Sequence, residues 1–208
     1  MHAFDQHRYQ VRLEWGTEGL ARLAPADVVV VVDVLRFSTT VTDAVARSDA
    51  YALDDRALAV SINGAPLVQT ASSSGAVVML GCLRNASAVA RAVLAEQARR
   101  GQRTSIAVIA AGEQGDGLRF AVEDLLGAGA VIDALGVLGI DHTAPEAAAA
   151  AESFRGLRGA VRHLLTASGS GQELIDRGLR DDVVGAAVID AESVVPVLRD
   201  GLFTGLEV

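Results

Sequence analysis

The sequence predicts a layered α/β/α fold on a largely parallel or mixed sheet, and three observations predict it. Residues 28–34 are an almost unbroken run of Val, interrupted only by Asp33. Such a run suits a strand covered on both faces. Residues 105–110 form a second apolar run of strand length. Around these runs lie segments with helical spacing, so strands and helices alternate as in α/β units. A chain of 208 residues, half of them hydrophobic, can bury a sizeable core. No linker, repeat or change of composition divides it, so residues 1–208 read as one domain.

In chain order, residues 9–15 alternate and predict an edge strand. Residues 20–24 predict a short helix stopped near Pro25. After the Val strand, 38–46 predict a helix, 51–53 a strand and 54–60 a helical turn. Residues 67–70 and 77–80 are short apolar stretches flanking a turn, Ser72-Ser73-Ser74-Gly75. Residues 86–100 carry Val89, Val93 and Leu94 at helical spacing and end in Arg99-Arg100-Gly101, a helix stop. Residues 105–110 form the next strand, and 118–126 and 130–138 predict two helical runs. Thr143-Ala144-Pro145-Glu146 matches a capping box with Pro in the first turn. It predicts a helix through 165. Then come a loop at 168–171, a short helix at 172–179, and late strands at 183–189 and 194–198.

Composition excludes several kinds of chemistry. All 18 basic residues are Arg. The absence of Lys removes a P-loop lysine, Schiff-base chemistry and attachment of pyridoxal phosphate. A net charge of −8 argues against nucleic-acid binding, which needs a positive surface. No apolar run reaches the ~18 residues of a membrane span, and the polar first ten residues carry no secretory leader. Cys82 is the sole cysteine. A soluble cytoplasmic protein without membrane or nucleic-acid partners is expected, and a homodimer is compatible with its size.

Ligands of open α/β sheets bind beyond the carboxyl ends of the strands, so polar residues there are the candidates. Three segments stand out. In the first, Asp33 interrupts the Val strand and Arg36, Ser38, Thr39 and Thr40 follow. Its readings are a metal-binding or acid/base Asp beside an anion-binding Arg, or an ion pair with an ordinary helix cap. In the second, Gly81-Cys82-Leu83-Arg84-Asn85-Ala86 offers Arg84 and Asn85 to an anion, or is a plain strand-to-helix turn capped by Asn85. In the third, Gly112-Glu113-Gln114-Gly115-Asp116 and Glu123-Asp124 put four carboxylates near one connection. These are Mg²⁺ ligands or a solvated acidic loop.

Taken together, the chain resembles the 2-phosphosulfolactate phosphatases, the ComB-type family. The resemblance is carried by residues 31–40 and 81–90, by Ala111-Gly112, Glu123-Asp124 and Gly127-Ala128-Gly129, and by 174–179, 181–183 and 194–198. It implies an α/β fold and Mg²⁺-dependent hydrolysis of a small anionic phosphorylated metabolite, 2-phospho-3-sulfolactate, to 3-sulfolactate and phosphate, on a route to coenzyme M or related sulfonates. Asp33, Arg36, Asn85, Glu123 and Asp124 fall on family motif positions.

The catalytic group expected on this basis is Asp33, Arg36, Glu113 and Asp124, with Glu113 or Asp116 as base. Asp33, Glu123 and Asp124 would hold Mg²⁺. Arg36, Ser38, Thr39, Ser73, Arg84 and Asn85 would bind substrate. Water attack and a covalent phospho-Asp33 both stay open. The chain departs from the family in three places, one of them a connection from Gly112 to Glu123 that is a few residues longer than usual. The family's Gly-Glu-Arg and Gly-Phe-Asp-x-x-Asn-Ser-Pro motifs are absent, and residues 61–66 stand in that interval instead. Ala71-Ser72-Ser73-Ser74-Gly75 replaces the family's Thr-rich turn. These departures give a second reading, a non-catalytic relative with an anion-binding or regulatory role.

Overall fold

The computed structural model describes residues 2–115 and 117–207. Its strands are β1 (Val11–Trp15), β2 (Val28–Val32), β3 (Tyr51–Ala52), β4 (Val77–Gly81), β5 (Ile106–Ala110), β6 (Glu113–Gly115), β7 (Gly117–Arg119), β8 (Val194–Arg199) and β9 (Leu202–Glu207). Its helices are α1 (Gly16–Arg22), α2 (Phe37–Ala46), α3 (Asp55–Val60), α4 (Gly64–Ser72), α5 (Ala86–Arg100), α6 (Val122–Val137), α7 (Pro145–Leu157), α8 (Val161–Ala167), α9 (Gly169–Asp176) and α10 (Arg180–Ala186).

Seven strands form one sheet in the order β1-β5-β2-β4-β8-β9-β3. β1, β5, β2 and β4 run parallel, and β8, β9 and β3 complete the sheet antiparallel. β6 and β7 form a separate hairpin. The five Val residues of β2 are all buried because both faces of the sheet are covered. Val28, Val30 and Val32 pack with residues of α5–α10, while Val29 and Val31 pack with residues of α1–α4. Each fully buried Val contributes ~1.5–3 kcal/mol, so the central strand is held from both faces of the sheet. Among the described residues, no helix is long and apolar enough to cross a membrane.

Several elements differ from expectation. Residues 183–189 are not a strand: α10 covers 180–186 and buries Val183 and Ala186 at helical spacing. Residues 118–126 are not one helix, because Gly117–Arg119 pairs in the hairpin and α6 starts at Val122. The two helical runs expected there are instead the single helix α6. Residues 67–70 belong to α4. The capping box at Thr143 does not form: Ala144 is the N-cap, without a side-chain hydrogen bond, and Thr143 bridges to Val11. The following helix breaks at Arg158–Ala160, a 3₁₀ turn between α7 and α8. Residues 168–171 are the start of α9, where the Ser168 hydroxyl accepts from the Gly171 N–H at 3.1 Å.

Candidate active site

β2 and β5 are neighbours in the sheet. The chain leaves β2 for α2 on one face and leaves β5, through the hairpin, for α6 on the other. That divergence opens a crevice at the carboxyl ends of the strands. A cleft of 470 Å³ lies there, lined by the β2–α2 turn, the α3–α4 connection, Gly112 and Glu113, the start of α6, and α9 with the turn after it.

Asp33 follows the last residue of β2 and is buried. Its Oδ1 accepts from the Phe37 N–H at 3.2 Å, at the start of α2, and its carboxylate also accepts from the Gly64 N–H, at the start of α4. Asp124 sits in the first turn of α6. Its Oδ1 accepts from Val34 N–H at 2.7 Å and its Oδ2 from Gly112 N–H at 2.9 Å. One carboxylate thus ties the end of β2 to the end of β5. Helix N-termini favour negative charge, and three of them, of α2, α4 and α6, point acids or N–H groups here. Glu123 is also buried, and its Oε2 has no hydrogen-bond partner among the described residues.

Burial pushes Asp33 up to about 6, with the charge of Glu123 adding to the rise and the Phe37 and Gly64 N–H groups opposing it. Burial also raises Asp124 well above the usual range, reinforced by Asp33 and Glu123. Among the described residues, no arginine is paired with any of the three.

The structure brings Asp33, Arg36, Glu113, Glu123 and Asp124 to this one cleft. Arg36 Nη1 there meets Asp182 Oδ2 of α10 at 2.5 Å. Burial would raise the Glu113 carboxyl, but the Ser170 hydroxyl, which donates to it at 2.5 Å, and its ion pair with Arg119 hold it below the usual range.

The other expected residues that are described do not line the cleft. Arg84 lies elsewhere because its guanidinium is shared among Asp43 at 2.9 Å, Glu192 at 2.8 Å and the Gly185 carbonyl at 2.9 Å. Asn85 is fully buried, accepting from Cys82 N–H at 2.9 Å and donating toward the Leu80 and Val194 carbonyls. The Ser38 hydroxyl accepts from Asp33 N–H and donates to the Val31 carbonyl, and Thr39 donates to the Val34 carbonyl. Both side chains brace the turn. Ser73 lies at the end of α4, beside α1, in a separate hollow. Asp116 lies outside the described residues.

Sequence reasoning missed part of the lining. Ser61 and Asn63 line the cleft from residues 61–66, the interval where the family motifs are absent. A Cβ on Gly64 would sit 2.4 Å from Asp33 Oδ2, so only glycine permits this approach. Arg177, at the C-terminal end of α9, is the second cleft cation. The Asn63-Gly64 pair before an apolar run was the available signal for the first; Arg177 stands within residues 174–179, which carry the family resemblance, but was given no role there.

Among the described residues, no group of three or more His, Cys, Asp or Glu side chains is arranged to hold a metal ion. The donor set nevertheless suits one hard cation. It is all oxygen, buried, unbalanced by any arginine, and leaves Glu123 Oε2 without a partner. Mg²⁺ keeps several waters and needs one or two carboxylates rather than a full cage.

A family model described as 2-phosphosulpholactate phosphatase matches residues 47–201. The match includes Glu113, Glu123, Asp124 and Arg177 and starts after Asp33 and Arg36. A protein of Gloeobacter violaceus named "Probable 2-phosphosulfolactate phosphatase" is 34% identical over 120 residues, covering 58% of this chain and 46% of that protein. One of the same name from Deinococcus radiodurans is 32% identical over 146 residues, covering 70% of this chain and 57% of that protein. The chain spans about half the length of these relatives. With the family model covering most of its residues, the chain belongs to the 2-phosphosulpholactate phosphatase family.

Proposed function

We propose that the chain is a Mg²⁺-dependent phosphatase of a small anionic phosphate ester, and that its substrate is 2-phospho-3-sulfolactate, released as 3-sulfolactate and phosphate. The observation that carries the reading is the unpartnered Oε2 of Glu123 beside buried Asp33 and Asp124. Acids so placed call for a cation, and phosphoryl transfer is governed by charge neutralisation. Glu123, through its unpartnered Oε2, and Asp33 would hold Mg²⁺, which when bound neutralises phosphoryl charge and acidifies a water, while the two oxygens of Asp124, the third expected ligand, stay with the Val34 and Gly112 N–H groups. Arg36, from the same turn as Asp33, binds phosphate oxygens through its planar fork, exchanging Asp182 for them. Glu113, kept ionised by Ser170 and Arg119, accepts the proton of the attacking water. Asp124 holds the ends of β2 and β5 together, so the acids keep their spacing as substrate enters.

The test is phosphate release from 2-phospho-3-sulfolactate by the purified chain. Release requires Mg²⁺ and stops with a chelator. Asp33→Asn lowers kcat by at least ~10²-fold with an unchanged circular dichroism spectrum. Release that ignores the chelator, or an Asp33→Asn variant of full activity, overturns the reading.

A further inference from the structure

The cleft has a charge problem beyond its acid cluster. Among the described residues lining it are five carboxylates, Asp33, Glu113, Glu123, Asp124 and Glu173, and two cations, Arg36 and Arg177. The proposed ester brings in further negative charge, with a carboxylate and a sulfonate on either side of its phosphate-bearing carbon. The phosphate has Arg36 and the cation held by the acid cluster. An acid group beside the phosphate needs its own donor, because a strong anion facing carboxylates without a partner is repelled.

Arg177 is the one remaining cationic side chain in the described lining. It follows the last residue of α9, on the opposite side of the sheet from α2 and α4. Its guanidinium pairs with Glu173, one helical turn back, and the two side chains are 64% and 62% exposed. An exposed pair of this spacing is worth only ~0.3–0.5 kcal/mol, so an incoming anion displaces Glu173 at little cost. A sulfonate or carboxylate can take two parallel N–H bonds from the guanidinium fork, where Glu173 takes one, from Nη2.

We infer that Arg177 is the specificity residue of the cleft, taking an acid group, sulfonate or carboxylate, carried beside the phosphate-bearing carbon of the substrate, with Glu173 holding the guanidinium in place while the cleft is empty. The inference deepens the phosphatase reading and rests on it for the position of the phosphate.

The experiment compares Arg177→Ala, Arg177→Lys and Glu173→Gln with the parent chain on two esters, 2-phospho-3-sulfolactate and ethyl phosphate, whose tail is neutral. Arg177→Ala raises KM for the sulfonate ester by about 10–100-fold, the range of a lost charge-assisted contact, with kcat changed less than about threefold. KM for ethyl phosphate does not move. Arg177→Lys recovers part of the loss, and Glu173→Gln lowers KM for the sulfonate ester because the competing carboxylate is gone. Equal effects on both esters, or none on the sulfonate ester, overturn the assignment. If the parent chain hydrolyses neither ester, the phosphatase reading fails, and calorimetry with 3-sulfolactate decides Arg177 separately. Binding to the parent chain that is lost in Arg177→Ala supports it; equal binding to both, or binding to neither, overturns it.

Discussion

Asp33 is the residue on which fold and chemistry meet. Two N–H groups hold its carboxylate, yet burial and the neighbouring Glu123 push it up to about 6 from an ordinary 3.8. The folded chain therefore keeps a proton that the unfolded chain has released between those two values. Stability falls as pH rises through that window, and above about 6 the full penalty is present, on the order of 2–3 kcal/mol for a shift of this size. Removing one of the crowded charges relieves it. Glu123→Gln is expected to raise the melting temperature by about 2–4 °C at pH 7.5, the shift that ~1 kcal/mol gives a chain of this size. The gain shrinks toward pH 4, where Asp33 in the folded chain is protonated and no longer repels Glu123, and phosphate release is lost. Calorimetry at the two pH values checks this; an equal or lower melting temperature at pH 7.5 removes charge crowding from the account.

At the scale of elements, the site is a meeting of helix starts. α2 and α4 each present an N–H group to Asp33, and α6 supplies Glu123 and Asp124 from its first turn. The close approach of α4 depends on Gly64. Gly64→Ala puts a methyl group against Asp33 Oδ2 and Phe37 Cβ. Overpacking of this kind costs ~1–3 kcal/mol, and because the atom displaced belongs to Asp33, phosphate release should fall at least ~10-fold. Urea unfolding and steady-state kinetics on that variant measure the two effects; full activity would show that α4 does not set the position of Asp33.

Elements defined by their own residues were legible in the sequence. The Val run became β2, residues 86–100 became α5 with the expected bounds, and Asp33 at the end of a strand marked the site. Elements defined by distant partners were not. Val183-Val184 resembles a strand, but the spacing of buried Val183, Ala186 and Ala187 is helical. Ser168-Gly169-Ser170-Gly171 resembles a loop, but Ser168 caps a helix. Arg84 stands in a turn that suits an anion, but Asp43, Gly185 and Glu192, far along the chain, claim it.

For the whole molecule, a cleft that burdens the fold when empty should repay it when filled. Millimolar Mg²⁺ is expected to raise the melting temperature at pH 7.5, by linkage of binding to folding. The shift should be smaller at pH 5, where a proton on Asp33 competes with the ion, and absent in Asp33→Asn. Equal shifts at both pH values, or in the variant, would mark the effect as general screening of an acidic chain. The tie made by Asp124 has a further consequence. The amide protons of Val34 and Gly112 are each bonded to one oxygen of a carboxylate that shares the site's charge. Their magnetic resonance signals are therefore a pair of built-in reporters, one on each of two adjacent strand ends, of whether anything has entered.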